Sequence, residues 1–223
     1  MRGTVVIIAG LSGGGKTTVA DRLCASDTGY RMSRSHTTRP PRGDGRDDEY
    51  IYVTQEELSR LAECGELVEH TTYAGTSYGT SRTELYSIID EGKIPVLVLD
   101  INGIRSIKRL GLFSTVCAVY LYNSLKTVDE RLFARVMSGG VTENAKRTYQ
   151  MRTKANISDC LDMKNRVQSI DAFIKNDDIE LCVDEVKRWI AICEEGGCQS
   201  ASEKEAVGEY LYREAESFTP RKI

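Results

Sequence analysis

Long apolar runs are missing from this sequence. No stretch approaches the roughly twenty consecutive apolar residues that a membrane-spanning helix needs, so a membrane partner is not expected. Positive charge is not in excess either. Lys and Arg number 30 against 33 Asp and Glu, a net charge of −3, with a pI near 5.6. An acidic balance gives no global attraction for nucleic acid, which excludes that partner class. The seven cysteines (24, 64, 117, 160, 182, 193 and 198) lack metal-ligand spacing, since only Cys193 and Cys198 are close and no His lies near them. Reduced thiols in a cytoplasmic protein follow, and Cys117, inside an apolar run, reads as a small core residue. The chain enters an apolar run within a few residues of Met1, which leaves no room there for a signal peptide.

What is present begins at that run. Val5-Val6-Ile7-Ile8-Ala9 is short and β-branched, as a fully buried strand should be. It is followed by Gly10-Leu11-Ser12-Gly13-Gly14-Gly15-Lys16-Thr17 and then by Thr18 to Leu23, with Val19 and Leu23 at helical spacing. Strand, G-x-x-x-x-G-K-T, helix is the context a phosphate-binding loop requires. Glycines let successive N–H groups converge on one cluster of oxygens, and the following helix adds the positive end of its dipole. Lys16 can bridge the outer phosphates and the Thr17 hydroxyl can hold Mg²⁺. The bland alternative, a glycine-rich connecting turn, does not call for the Lys-Thr pair. The expectation is a binder of a nucleoside triphosphate.

At 223 residues the chain is long enough for one sizeable domain, or one with inserted lobes. Tyr30 to Ser35 reads as a short strand. Ser35 to Tyr50, rich in Gly, Pro and charge, reads as loop. Within it Arg39-Pro40-Pro41-Arg42 holds two guanidinium groups on a stiff mount, suited either to gripping an anion or to a solvated surface. Tyr50 to Val53 predicts a strand. Thr54 with Glu57 and Ser81 with Glu84 predict two capping boxes, opening helices that Gly65 and Gly92 close. Leu67 to Tyr73 predicts a strand between them.

Ile94 to Asp100 and Val116 to Tyr122 read as further buried strands, with Asp100 at a carboxyl end, where it could serve Mg²⁺ or cap the next helix. Two helices follow, one from Ser124 with Arg131 and Arg135 one turn apart, the other from about Thr142 with Lys146, Arg147, Arg152 and Lys154. Ser138-Gly139-Gly140 separates them, as in a hinged flap over phosphates. Ala172-Phe173-Ile174 is a last short strand, and Ile179 to Glu195 a helix. Alternating strands and helices give an α/β fold with a parallel sheet. Residues 203–216 could form a polar helix that docks, dimerises or frays.

The chain resembles the guanylate kinase family over about residues 4 to 192. Beyond the phosphate loop, the resemblance rests on S-H-T-T-R-x-P-R (Ser35 to Arg42), Tyr50, E-L-V-E (Glu66 to Glu69), Y-G-T (Tyr78 to Thr80), L-D-I-N-G (Leu99 to Gly103) and N-D-D (Asn176 to Asp178). It implies a P-loop three-layer core (1–34, 81–126 and 158–192), an inserted mixed α+β GMP-binding lobe (35–80), a helical lid (about 127–157) and a C-terminal extension (193–223). It implies ATP and GMP as partners, Mg²⁺ as cofactor, and a monomer or homodimer.

Carried over by position, Gly10, Ser12, Gly13, Gly14, Gly15, Lys16, Thr17, Thr18 and Asn176 would bind ATP. Arg39, Arg42, Tyr50 and Tyr78 would hold the GMP phosphate, and Ser35, Glu69 and Thr80 would read the base, with Asp44 and Asp100 completing that site. Lys16, Arg39, Arg135 and Arg147 would stabilise the transferring group, assisted by Arg131. Thr17, with Asp100 through water, would hold the metal. Guanine offers N1–H and a 2-amino group side by side, which one carboxylate can accept. Adenine has an acceptor at N1 and would leave Glu69 unpaired, a rejection on the order of 10⁴-fold.

Four positions depart from the family pattern. Leu11 replaces a proline, Asp44 a glutamate and Val98 an aspartate, and Arg135-Val136 stands for an Arg-Gly pair. Two further readings are a related kinase for another phosphorylated acceptor and a non-catalytic interaction module of the same fold.

Overall fold

The computed structural model describes residues 3–41, 50–73, 76–221 and 223, which form nine strands and eight α-helices. The chain divides into two compact units, residues 1–8 with 20–117, and residues 9–19 with 118–223.

In the first unit, β1 (Thr4–Gly10), β2 (Tyr30–Met32) and β7 (Ile94–Val98) run parallel in the order β2-β7-β1. Val5 to Ala9 of β1 are wholly buried, which explains their unbroken apolar sequence, since a central parallel strand has no face toward water. A second sheet is built from β3 (Ser35–Thr37), β4 (Tyr50–Tyr52), β5 (Leu67–Tyr73) and β6 (Thr76–Ser81), in the order β4-β3-β6-β5. The helices here are α2 (Gln55–Glu63), α3 (Arg82–Asp90) and α4 (Ile101–Leu110), while α1 (Lys16–Ser26) continues in from the glycine loop.

Two expectations are corrected in this unit. Ser35 to Thr37 is strand rather than loop, and Thr76 to Ser81 is its antiparallel partner. Neither has an apolar alternation, and each exists because its neighbours complete its hydrogen bonds. The capping box at Thr54 forms in full, but the one at Ser81 is half made. Ser81 accepts from Glu84 N, whereas the Glu84 carboxylate turns away to Arg34 (3.4 Å).

The second unit holds β8 (Thr115–Tyr122) beside β9 (Ala172–Lys175), parallel, with α5 (Leu125–Met137), α6 (Glu143–Leu161), α7 (Ile179–Glu194) and α8 (Ala201–Ser217). The break between α5 and α6 falls at the expected glycines, with Gly140 at φ 104°. Helix α8 neither frays nor projects. It packs on α6 and β9, with Leu211 and Ala215 buried. It is further tied by Glu214 accepting from Leu125 N (2.8 Å) and by buried Lys204 donating to the Ile170 carbonyl (3.1 Å).

Seven of the eight α-helices open on a Ser, Thr or Asp whose side chain accepts an N–H of the first turn: Thr54, Ser81, Asp100, Ser124, Thr142, Asp178 and Ser200. The eighth, α1, opens on the glycine loop. Its leading N–H groups thus emerge where an anion can take the place of a cap.

Candidate active site

The glycine loop belongs to the second unit. Gly13 and Gly15 take φ of +94° and +86°, a left-handed conformation that side chains resist. A Cβ on Gly13 would lie 2.6 Å from the Val128 carbonyl oxygen. Left-handed residues alternating with right-handed ones turn successive N–H groups to one side, the geometry of an anion nest. Lys16 lies along the loop, its Nζ donating to the carbonyls of Gly10 and Leu11 (2.9 and 3.0 Å). Thr17 and Thr18 follow on the first turn of α1.

The outer side of the loop is held by amides. Asn176, directly after β9 and 2 % exposed, donates from Nδ2 to the Gly14 carbonyl (2.8 Å). Its own carbonyl accepts from buried Asn123 (2.8 Å) and from Arg131 (3.4 Å). The Asn176 amide nitrogen therefore supports the loop backbone. From α6, Asn156 bonds both backbone groups of Ser12. Arg135, near the end of α5, and Arg147, in the first turns of α6, are both exposed.

The other candidate residues lie in the first unit, and the four-stranded sheet aligns them. Strand register sets Tyr50 opposite Ser35, Ser35 opposite Thr80, and Thr80 opposite Glu69, one row across four strands. Two residues along, Tyr78 pairs with Thr37 and Thr71 in the next row. Directly paired residues share a face, and a step of two returns to it. Residues 35, 50, 69, 78 and 80 are thereby gathered on one surface. A bulge between Leu67 and Glu69 makes this possible, because it brings Glu69 opposite Thr80 and so onto the shared face.

Glu69 is 5 % exposed, and its Oε1 accepts from the Thr80 hydroxyl at 2.8 Å. Burial pushes its carboxyl up to about 7, opposed by the Thr80 hydrogen bond and reinforced by the negative charge of Asp100. A carboxyl this strained in its charged form gains most from donors brought to it. Arg39 stands at the other end of the row, its guanidinium 5.0 Å from the Tyr50 ring centroid. Its buried Nη1 has no hydrogen-bond partner among the described residues. The rings of Tyr50 and Tyr78 are 6.3 Å apart. Asp100 is exposed and caps α4, Oδ1 accepting from Gly103 N (2.8 Å). Arg42 and Asp44 lie outside the described residues.

Sequence reasoning missed Asn123 and Asn156. The first lies at a strand end and the second in a charge-rich helix, and neither falls in a motif. The signal for Asn156 was its residue type, since a short amide is a poor choice within a helix unless its side chain is needed; Asn123 gave none.

The chain is similar over most of its length to known proteins of one family. The guanylate kinase family model matches residues 2–192. The chain is 32 % identical over 191 residues to a guanylate kinase of Schizosaccharomyces pombe, covering 84 % of this chain and 89 % of that protein. It is 30 % identical over 190 residues to one of Cereibacter sphaeroides, covering 83 % and 84 %. The match to the human guanylate kinase is 36 % over 132 residues, covering 58 % of this chain and 66 % of that protein. A crystal structure of guanylate kinase from Anaplasma phagocytophilum superposes with a TM-score of 0.62 at 22 % identity, covering 95 % of this chain and 96 % of that one.

Proposed function

This chain belongs to the guanylate kinase family, and from that premise we propose that it catalyses ATP + GMP ⇌ ADP + GDP through the two groups of residues described above. The observation that carries the reading is the cross-strand row ending in buried Glu69. Ionised Glu69 accepts from N1–H and the 2-amino group of guanine together, while the Ser35 and Thr80 hydroxyls complete the base site. Arg39, with a buried N–H free of partners among the described residues, pairs with the GMP phosphate beside the Tyr50 and Tyr78 hydroxyls. Arg42 and Asp44 belong to the same proposed set.

The glycine loop takes the ATP phosphates on its converging N–H groups and on the N-terminus of α1. Lys16, released from the carbonyls it now caps, follows the charge of the transferring group. Arg135 and Arg147 complete its neutralisation, with Arg131 tying the Asn123–Asn176 pair beneath the loop. No covalent enzyme intermediate is needed, because positioning and charge neutralisation suffice for an in-line transfer.

The residues offered to a metal are the Thr17 hydroxyl and the second oxygen of Asp100 through water. An all-oxygen donor set suits Mg²⁺ over softer ions. When bound with ATP, Mg²⁺ neutralises phosphate charge. The seven cysteines, none paired in a disulfide among the described residues, suit a reducing, cytoplasmic setting.

Replacing Lys16 tests this division. Lys16→Ala should lower kcat for ADP formation by at least about 10³-fold, since it removes the one cation built into the loop. Calorimetric GMP binding should stay within about twofold. Retained turnover in that variant would contradict the role given to the loop.

A further inference from the structure

The structure assigns Asn156 as a positioning residue for phosphoryl transfer, one that sets the phosphate loop against the helix bearing the lid cations. Asn156 is 4 % exposed on the inner face of α6. Its Oδ1 accepts from Ser12 N at 2.9 Å, and its Nδ2 donates to Ser12 O at 2.9 Å. One primary amide thus satisfies both backbone groups of the third residue of G-x-x-x-x-G-K-T, in the manner of a single rung between strands. An asparagine gains nothing from the helix itself. Buried without such partners it would be costly, so the pairing accounts for its presence.

Two consequences follow. The Ser12 N–H is committed to α6 and the Gly14 N–H to the Leu11 carbonyl (2.9 Å), so the anion nest is left to the N–H groups of Gly13 and of Gly15 onward into α1. The carbonyl of Ser12 accepts from Asn156 as that of Gly14 accepts from Asn176, so the loop backbone is held by two amides from separate elements. Helix α6 is also continuous from Glu143 to Leu161. Arg147 stands nine residues from Asn156, about 13 Å along the axis. A clamp at one end therefore fixes where Lys146 and Arg147 stand relative to the loop.

The test is steady-state kinetics on the full chain, with ATP and GMP varied separately, and calorimetric binding of GMP. Asn156→Ala should lower kcat/KM for ATP about 10- to 100-fold, about tenfold or less for each hydrogen bond lost. The GMP dissociation constant should stay within about twofold. Cys160→Ala, one turn further on the buried face of α6, loosens the helix without touching the loop and should leave the ATP constant near that of the parent.

Asn156→Asp supplies an independent readout. Its protonated form is isosteric with the amide and can still donate to the Ser12 carbonyl, whereas its ionised form repels that oxygen. The ratio of its kcat/KM for ATP to that of the parent should therefore rise as pH falls from 8 to 6. The assignment is overturned if Asn156→Ala weakens ATP and GMP equally and resembles Cys160→Ala. It is equally overturned if the Asn156→Asp ratio is flat with pH, the deciding result should the alanine variant not fold.

Discussion

At the scale of the single residue, Glu69 couples stability, pH and selectivity. Its carboxyl is pushed up to about 7 by burial, so near neutrality the free protein is a mixture of protonated and ionised forms. Only the ionised form accepts both guanine donors. The competent fraction falls about tenfold between pH 8 and pH 6, and apparent GMP affinity should fall by the same factor. Calorimetry across that range checks it. In Glu69→Gln the step should vanish, leaving only the titration of the GMP phosphate.

The stability sign runs the other way. A carboxyl raised in the folded state contributes stability that is fully present below its unfolded value, near 4.5. That contribution is lost as pH rises through 7. Glu69→Gln, which keeps an acceptor for Thr80 and gives up a buried charge, should match or exceed the parent in Tm at pH 8. Its kcat/KM for GMP should nonetheless fall at least about 10²-fold. A variant that lost stability and kept activity would refute the assigned base contact.

Much of this residue-level chemistry was legible in the chain. The glycine loop announces itself by residue type and spacing, whereas Glu69, Tyr50 and Tyr78 enter through the resemblance to the family's motifs. Asn156 did neither, because among Lys146, Arg147, Arg152 and Lys154 an amide reads as one more solvated position.

At the scale of the element, the last helix and tail show what a sequence hides and a fold reveals. The buried positions of α8 are Lys204, Gly208, Leu211 and Ala215, at helical spacing but with two residue types that conceal an inward face. Beyond α8, Arg221 Nε donates to Oδ2 of the buried Asp129 of α5 (3.0 Å). Oδ1 of that carboxylate accepts from Tyr149 of α6 at 2.6 Å. The Tyr149 hydroxyl is pushed up to about 12, by burial first and then by Asp129. The tail thereby ties α5 and α6 at one carboxylate.

Removing Arg221 leaves Asp129 buried with one donor fewer. Arg221→Ala should cost about 1 kcal/mol, after allowance for the exposure of the arginine, or about 2–4 °C in Tm. Arg213→Ala breaks only the exposed pair with Glu209 and should shift Tm by less than about 1 °C. Equal shifts in the two variants would show that the tail contact carries no weight. The strands β3 and β6 teach the same lesson. Ser35-His36-Thr37 and Thr76 to Ser81 carry no β pattern of their own, and only pairing across some forty residues makes them strands.

At the scale of the molecule, the family model ends at residue 192, yet α8 packs into the second unit as closely as its neighbours do. The alternation of buried strands and helices predicted the parallel sheet, and the structure has it. The inserted lobe was foreseen as mixed α+β with two of its strands, but not as a four-stranded sheet, because its order depends on register rather than on local pattern. That register brings five scattered residues onto one surface, the one proposed above to read guanine.

The most direct test is ADP release with ATP and Mg²⁺, comparing GMP, AMP, dTMP and no acceptor. The account predicts rapid release with GMP and at least about 10³-fold less with AMP or dTMP. Comparable release with another acceptor, or none with GMP from protein that binds it, would contradict the reading of the Ser35–Thr80–Glu69 row as the acceptor site of a working kinase.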